Sequence, residues 1–376
     1  MKAAVLRRPA PWCWMTLSFD QETRRTAVIY VGMDLHQRTT TWFACDESGQ
    51  RVGSGKVDSN GEGWETVTGR FGSPLQVAIE TGSITWFCVE QLRSLGIEPT
   101  VVDARHFKLI AESRKKSDRR DARTLAFALR DGTAQQCTVA VPSERARRGR
   151  ALLQARKTIV EQGTQSRNAI KGLLRGCGCT LAAALWRHPE QLRKVLSELQ
   201  RVPAWMQPLL DAHYSVWLET QRQRALLDKQ IRDELALWSD AQHLQTLPGF
   251  GPLVTLAVAS ALDDPRRFAR GRQVGSYAGL VPSVRNSGDS TRHGGITHQG
   301  RSLLRHALTQ AAHAALRGHA LAARHRVWAR SLDARRGRQI AVTALARRLL
   351  VIAHQMWLTG ELYDPTHRST PAALAA

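Results

Sequence analysis

The hydrophobic pattern of this chain changes at about residue 143, and this change restricts its fold more than any other feature. Before it, short runs of β-branched and aromatic residues are separated by turn residues, as in β-strands. The strand-like runs are TAVIYVGMD, the two halves of TTTWFACDESGQRVGSGKV, PLQVAIETG and IEPTVVDA. Before the last run, SITWFCVEQLRSLG has helical spacing, and a further helix is expected from about Asp118 to Leu129.

This order predicts three meandering strands followed by alternating strands and helices. Such an order is typical of a mixed α/β sheet flanked by helices, the ribonuclease H-like arrangement. We expect this domain to cover residues 27–142. Residues 1–26 form a poorly ordered extension in this interpretation, because their short apolar run is followed by two Arg and two Pro and lacks the apolar core of a signal peptide.

After residue 143 the strand signal stops, and an all-α linker is expected over residues 143–241. One long helix is predicted across SERARRGRALLQARKTIVEQGTQSRNAIKGLLRG, and a second runs from about Trp205 to Trp238. In the second helix, apolar ends flank a polar middle around Arg224 and Asp228. This pattern suggests incomplete helix pairing or a partner chain, and an ordinary helix packed on its own domain explains it equally well.

The third region, residues 242–360, is predicted to be mostly helical, with a tail of residues 361–376. It begins with LQTLPGFGPLVTLAVASALDD, the pattern of a helix-hairpin-helix-like element. Gly249 and Gly251 would let backbone N–H groups approach a phosphate at a helix N-terminus, although a plain capped helix start explains them as well. The loop GLVPSVRNSGDSTRHGGITHQG and the helix RSLLRHALTQAAHAALRG follow.

The charge of the chain points to a polyanionic partner. There are 54 Lys plus Arg against 32 Asp plus Glu, a net charge of +22 spread along the whole length, and nucleic acid is the usual partner of such a field. No segment resembles a membrane anchor, since the apolar stretch IAVTALARRLLVIAHQMWL contains Arg347 and Arg348. The six cysteines form no CxxC pair, so no disulfide framework or zinc site is expected and the compartment is expected to be reducing.

Two carboxylates lie within one of the most basic segments, RKKSDRRDARTLA. Asp118 and Asp121 could simply complement the positive end of a helix that Ser117 caps, with weak ion pairs to preceding basic residues. Alternatively, because residues i and i+3 share a helix face, both could point at one hard cation. In the second interpretation the surrounding basic side chains hold a nucleic-acid backbone; they are Lys115, Lys116, Arg119 and Arg120.

Two more acids end predicted strands: Asp34 the first and Glu80 the fourth. In a ribonuclease H-like sheet these strands are central neighbours. Their two carboxylates would therefore converge with the two on the helix, which makes four in all. They would repel one another and raise their own pKa values unless cations neutralise them. Two Mg²⁺ ions about 3.5–4 Å apart are the usual solution, and they clamp the oxygens of a phosphodiester. Asp34, Glu80, Asp118 and Asp121 are therefore candidate metal ligands.

Several segments together resemble the DEDD-type transposases of the insertion sequence 110 family. The resemblance covers roughly residues 27 to 360 and is most specific in the DxxDA box and in the GL-P-x4-SG loop. Ser117 stands where Thr is common in the family, and His298 and Arg301 stand where Lys and Asn are expected. The segments are VGMDLHQRT, AIETG, KKSDRRDARTLA, LQTLPGFGP and YAGLVPSVRNSGDSTRHGGITHQGRSLLRHAL.

The resemblance implies a RuvC-like nuclease domain, a helical linker that mediates oligomerisation as a dimer or tetramer, and a C-terminal transposase domain. It implies that the four acids are the catalytic metal ligands, with Mg²⁺ as cofactor, and that Ser287 becomes covalently linked to DNA. It also implies a structured non-coding guide RNA, a bridge RNA that pairs with donor and target DNA. A bacterial cytoplasmic, nucleoid-associated protein is expected.

Ser287 is nominated by the resemblance alone. A Ser-Gly pair in a polar loop is most often a turn, and neither a G-x-S-x-G elbow nor a nearby base marks it as activated. A serine oxygen that meets a phosphodiester already polarised by metal needs no local triad.

Other functions explain less of the chain. A Holliday-junction resolvase or RuvC-like nuclease would use the same acids with water as nucleophile, but it would not need the C-terminal region. An ATPase of the sugar-kinase type would carry a glycine-rich phosphate loop after the first acid, where DLHQRT stands instead. A non-enzymatic RNA-binding protein would explain the charge and leave the four acids without a role.

Overall fold

The described chain forms two compact units that divide between Val141 and Pro142. The computed structural model describes residues 28–72, 74–103, 117–287, 290–318 and 320–366. The predicted extension 1–26 and most of the predicted tail lie outside these residues. None of the helices described within these ranges is long and apolar enough to cross a membrane.

The first unit is built on a five-stranded mixed sheet, as predicted. The strand order is β3-β2-β1-β4-β5. β1 pairs antiparallel with β2 and β2 with β3, whereas β1–β4 and β4–β5 are parallel pairs. The bounds are β1 Ile29–Leu35, β2 Thr39–Cys45, β3 Arg51–Asp58, β4 Leu75–Glu80 and β5 Thr100–Val102.

Helices cover both faces of this sheet. α1 (Gly61–Thr68) and α2 (Thr85–Ser94) bring Trp64 and Leu92 against Val31 and Met33 on one face. α3 (Asp118–Arg130) brings its own apolar side against the other face. α2 and α3 were predicted, whereas α1 was not, because its short sequence GEGWETVT carries two glycines; Asn60 caps it by accepting a hydrogen bond from the Gly63 N–H at 2.8 Å.

α3 lies unusually close to the central strand β1. A Cβ atom built on Gly32 would lie 2.1 Å from the Ala122 carbonyl oxygen and 2.5 Å from the Ala126 nitrogen. Such distances are far inside van der Waals contact, so the absence of a side chain at Gly32 is what lets helix backbone and strand backbone touch. This contact sets the height at which the N-terminal turn of α3 stands above the sheet.

The second unit contains the two long helices that were predicted for the linker, and these helices pack against each other. α4 (Glu144–Gly176) packs along α6 (Gln207–Ala236), and α5 (Pro189–Glu198) joins their apolar end. The polar middle of α6 is satisfied within the chain, since the Arg156 guanidinium donates to Asp228 and Gly163 leaves room for Thr220. Packing on its own unit thus explains the polar middle.

The C-terminal part of this unit is a helical cluster around a deeply buried helix. α7 (Pro252–Leu262) is buried at every position from Val254 to Leu262. A short 3₁₀ helix, Gln242–Thr246, precedes it in place of the first helix of the predicted helix-hairpin-helix. The surrounding helices are α8 (Gly271–Tyr277), α9 (Ser302–Arg317), α10 (Ala323–Arg336) and α11 (Arg338–Thr359).

The prediction that strands end at residue 143 was wrong in one place. The segment expected to be a loop contains an antiparallel hairpin, β6 (Pro282–Ser287) and β7 (Ser290–Ile296). Its sequence, VPSVRNSGDSTRHGGI, is polar and has no apolar alternation, so hydrophobic periodicity could not reveal it. The Ser-Gly-Asp-Ser run at its tip was the available signal, since Gly and Asp favour tight hairpin turns.

The Gly32 contact predicts that replacing this glycine destabilises the protein much more than replacing a glycine without close neighbours. Gly32→Ala should lower the free energy of unfolding of the first unit by at least about 1–3 kcal/mol, because the new methyl group meets helix backbone that cannot rotate away. Gly72→Ala is the control, since its Cβ would meet nothing within 4 Å. Denaturant unfolding of both variants measures this, and equal stabilities would contradict the close approach.

Candidate metal centre

Two predicted acids stand side by side at the ends of neighbouring parallel strands. The β1–β4 register ends with Met33 opposite Ile79, and the next residues are Asp34 and Glu80. Side chains alternate along a strand, so Asp34 shares the face of Gly32, the face that α3 covers. Glu80 likewise shares the face of Ala78, which packs with α3.

A hydrogen-bonded turn shapes the backbone that follows Glu80. The Gly82 N–H donates to the Thr85 hydroxyl oxygen at 2.6 Å, and that hydroxyl lies 3.0 Å from the Glu80 carbonyl oxygen, to which it can donate. Thr85 is fully buried at the first turn of α2. The segment ETGSIT therefore ties the end of β4 to the start of a helix.

The first turn of α3 supplies the other two acids. Asp118 is its first residue and Asp121 lies one turn further along, with only 6% of its surface exposed. The N–H groups of Arg120 and Asp121 donate to the Ser117 carbonyl, while the Ser117 side chain makes no capping hydrogen bond. Both carboxylates lie in the first turn of α3, at the positive end of the helix dipole.

A histidine that sequence reasoning had not singled out joins two of these acids. His36 Nε2 lies 3.2 Å from Asp34 Oδ2 and 3.4 Å from Asp118 Oδ1. The ligand atoms of these three residues all lie within 4.8 Å of one another, the spacing of a metal-binding group. The sequence did hold a signal, since His36 is two residues after Asp34 in MDLHQ and this spacing repeats along one face of a strand.

Only some of the four predicted acids belong to this group of metal-binding atoms. Asp34 and Asp118 belong to it, and Asp121 is near enough for its charge to act on Asp34. Glu80 is not a member of the group, and its role as a ligand stays a prediction, as does a second metal ion.

The electrostatics of Asp34 favour a bound cation. Burial raises the pKa of the Asp34 carboxyl above its ordinary value, and the charges of Asp118 and Asp121 raise it further, while His36 opposes both effects. A divalent cation beside these carboxylates would remove the repulsion and stabilise the ionised form. Carboxylate oxygens suit Mg²⁺, and an imidazole nitrogen is also a ligand of Mn²⁺, so the donor set fits a divalent cation of this class.

The other predicted site residues fall in different places. Arg119 and Arg120 are exposed on α3, whereas Lys115 and Lys116 lie outside the described residues. Ser287 is the last residue of β6 and pairs in register with Ser290 at the tip of the hairpin; its side chain is outside the described part. All of these assignments stay predictions.

The two glycines of the PGFG turn differ in their surroundings. Gly249 has a φ of 89°, and a Cβ there would lie 2.2 Å from the Ala311 carbonyl oxygen of α9, so packing alone requires glycine. Gly251 is the exposed N-cap of α7, and a Cβ there would meet nothing within 4 Å. Because Pro252 follows, the first helical position offers no N–H donor. Phosphate binding at either glycine stays a prediction.

Comparison with known proteins matches both parts of the chain to transposases. A family model described as "Transposase", of the DEDD type of IS110, matches residues 31–178, which include the four acids. A second, described as "Transposase IS116/IS110/IS902 family", matches residues 241–327, which include Ser287.

Relatives extend the similarity over most of the chain. The "Transposase for insertion sequence element IS1111A" of Coxiella burnetii is 29% identical over 285 residues, 75% of this chain and 77% of the relative. The "Probable family 20 transposase" of Pseudomonas aeruginosa is 28% identical over 73% of this chain and 81% of its own. The "Transposase for insertion sequence element IS1328" of Yersinia enterocolitica is 24% identical over 77% and 86%.

Because the pKa of Asp34 is raised, we expect this carboxylate to lower the stability of the metal-free protein and to be needed for metal binding. A pKa raised in the folded state means that folding favours the neutral form, so the ionised carboxylate destabilises the metal-free protein at neutral pH. Asp34→Asn mimics the neutral form, and we expect it to raise the melting temperature in EDTA and to remove the increase that Mg²⁺ or Mn²⁺ produces in the wild type.

Asp58→Asn is the matched control, because it makes the same charge change at an exposed position at the end of β3. Scanning calorimetry with and without metal should show that this variant keeps the wild-type response. A metal-induced shift that persists in Asp34→Asn would place the cation elsewhere.

Proposed function

We propose that this insertion-sequence transposase of the IS110 type cleaves and exchanges DNA strands at a divalent-metal site built on Asp34 and Asp118, completed by Glu80 and Asp121. The observation that carries the proposal is the group of Asp34, His36 and Asp118 at the junction of β1 and α3, inside the region that the DEDD-type model matches. Like-charged carboxylates around one point, of which Asp34 is largely buried, are expected where a cation binds.

Each side chain has a distinct role in this proposal. A bound divalent ion supplies Lewis-acid stabilisation of the charge that develops on a phosphodiester and on its leaving oxygen. Asp34, held on β1, and Asp118, held by the close packing of α3, would hold it with little reorganisation. His36 lies between the two carboxylates, where its Nε2 can orient both or act as a ligand itself. Arg119 and Arg120 would contact the DNA backbone.

The nucleophile in the proposal is the Ser287 hydroxyl. Its oxygen loses its proton and forms a bond to phosphorus, and the bond from phosphorus to one deoxyribose oxygen breaks. That oxygen takes up a proton and leaves as a hydroxyl. One phosphodiester is exchanged for another, so a hydroxyl of the partner strand can reverse the step without ATP. The reaction requires the acids and Ser287, which belong to different units of the chain, to act on the same phosphodiester.

A structured RNA of the element would select the DNA. The support is the net charge of +22, which suits backbone contacts along a long polyanion, while base pairing supplies sequence choice. We also propose that the protein acts as a homo-oligomer, a dimer or tetramer, in the bacterial cytoplasm on nucleoid DNA.

The serine step predicts a covalent intermediate. On end-labelled element DNA with Mg²⁺, the wild type should give a protein–DNA adduct on denaturing gels, and Ser287→Ala should give none while keeping the metal-induced thermal shift. Ser290→Ala, at the paired hairpin position, should keep the adduct. Asp121→Asn should lose the adduct but retain DNA binding. An adduct that survives Ser287→Ala would move the nucleophile elsewhere, and cleavage without any adduct would favour a nuclease that uses water.

The guide proposal predicts that target choice depends on RNA. Purified protein supplied with the element's non-coding RNA should recombine DNA at sites that pair with that RNA, and changing the pairing segment should move the target accordingly. Without RNA, recombination should fall to background while salt-dependent, non-specific DNA binding remains. Target choice that is the same with and without RNA would instead indicate direct reading of DNA by side chains.

A further inference from the structure

A cavity of about 920 Å³ lies in the second unit, between the hairpin β6–β7 and the helices α10 and α11. It is lined by both polar and apolar side chains and is partly open to solvent. Its volume falls within the range of sites that hold a small organic ligand, which is about 300–1,000 Å³. The metal centre does not use this cavity, because neither Asp34 nor Asp118 is among its lining residues.

Among the described residues, four arginines line the cavity and no carboxylate does: Arg272, Arg336, Arg347 and Arg348. None of the four makes an ion pair within the described part of the chain, whereas Arg338, just past the end of α10, pairs with Asp333 at 3.1 Å. Four unpaired cations around one concave space repel each other, and an anionic ligand would relieve that repulsion.

The deepest of these cations is held in place before any ligand arrives. The Arg348 guanidinium stacks on Trp328, 3.8 Å from the ring centroid, and its Nη1 lies 3.5 Å from His325 Nδ1. Burial lowers the pKa of Arg348, and the charge of Arg324 lowers it further. His325 is 3% exposed, and burial with the neighbouring arginines lowers its pKa to about 4, so it stays neutral and accepts from Arg348.

Part of the remaining wall is apolar, and the cavity leaves room for more than a phosphate. Ile296 on the hairpin and Ile340 and Val351 on α11 line it together with Gly295, where a Cβ would meet nothing within 4 Å. Ile340 is 49% exposed, an unusual placement for a large aliphatic residue beside arginines. A ligand that matches both the arginines and the apolar part of the wall has an anionic group and a flat, weakly polar group. A nucleotide has both.

We propose that this cavity binds one unpaired nucleotide of the nucleic-acid partner, with its phosphate at Arg272 and Arg336 and its base against Ile340 and Ile296. A paired nucleotide would not fit this role, because its base is stacked inside the duplex and only its phosphate can reach a protein surface. The inference rests on nucleic-acid binding by the proposed transposase, and it is independent of the metal centre and of Ser287.

Two fluorescent DNA hairpins that differ only in one unpaired thymidine test the proposal with the full-length protein in EDTA. The ratio of their affinities cancels the general attraction of a highly basic protein for DNA. We expect the wild type to bind the bulged hairpin about tenfold more tightly, the effect of roughly one base contact. A third hairpin, with an abasic site at the bulge, should lose most of that preference.

Variants test whether the preference for the bulged hairpin arises in the cavity. Arg336→Gln and Ile340→Gln, both at exposed positions, should bring the ratio close to one, whereas Arg335→Gln, the adjacent arginine outside the cavity, should keep it. Asp121→Asn should also keep the ratio, which separates this site from the strand-exchange chemistry. Circular dichroism checks that each variant is folded.

Three results would overturn the proposal. They are a wild-type ratio near one, a ratio that Arg336→Gln and Ile340→Gln leave unchanged, and equal binding of the abasic and thymidine bulges. The last result would mean that the protein recognises a bent backbone and not a base.

Discussion

The candidate centre depends on one backbone contact, the approach of α3 to β1 at Gly32. A helix that packs on a sheet normally stands off by the thickness of two side-chain layers, but here a Cβ on the strand would lie 2.1 Å from a helix carbonyl. Without that side chain, the first turn of α3 reaches the end of β1, and Asp118 comes within range of His36 and Asp34. The close packing also buries Asp34 and brings like charges near it, and burial first and these charges second raise the pKa of its carboxyl.

Each unit also contains a cluster of like charges, negative in the first unit and positive in the second. The first unit gathers carboxylates at the ends of β1 and α3, and the second gathers arginines around a cavity whose described lining residues include no carboxylate. Folding alone does not explain either group, since bringing like charges together costs stability in both. Each becomes favourable with a ligand of opposite charge, a divalent cation in the first and a nucleic-acid phosphate in the second. In this interpretation, stability is given up where binding requires it.

Most of the first unit could be predicted because its signals are local. Strand alternation, the hairpin turn after Cys45 and the helical spacing after Gly82 each operate within about ten residues, and the structure has these elements where they were expected. Asp34, Glu80, Asp118 and Asp121 were recognisable as ends of predicted elements without an apolar role. His36 was missed because its two-residue spacing from Asp34 is weak evidence by itself, and because its other partner, Asp118, is 82 positions away.

The sequence by itself determined the mixed sheet, the change to helices after residue 143 and the basic character of the whole chain, since these follow from local periodicity and from composition. Tertiary structure alone decided which acids meet, how close α3 lies to β1, that a polar segment forms the hairpin β6–β7, and that four arginines from α8, α10 and α11 surround one cavity. The physical reason is that these features depend on distances between residues far apart in the chain. Packing sets those distances, and neither periodicity nor charge count contains them.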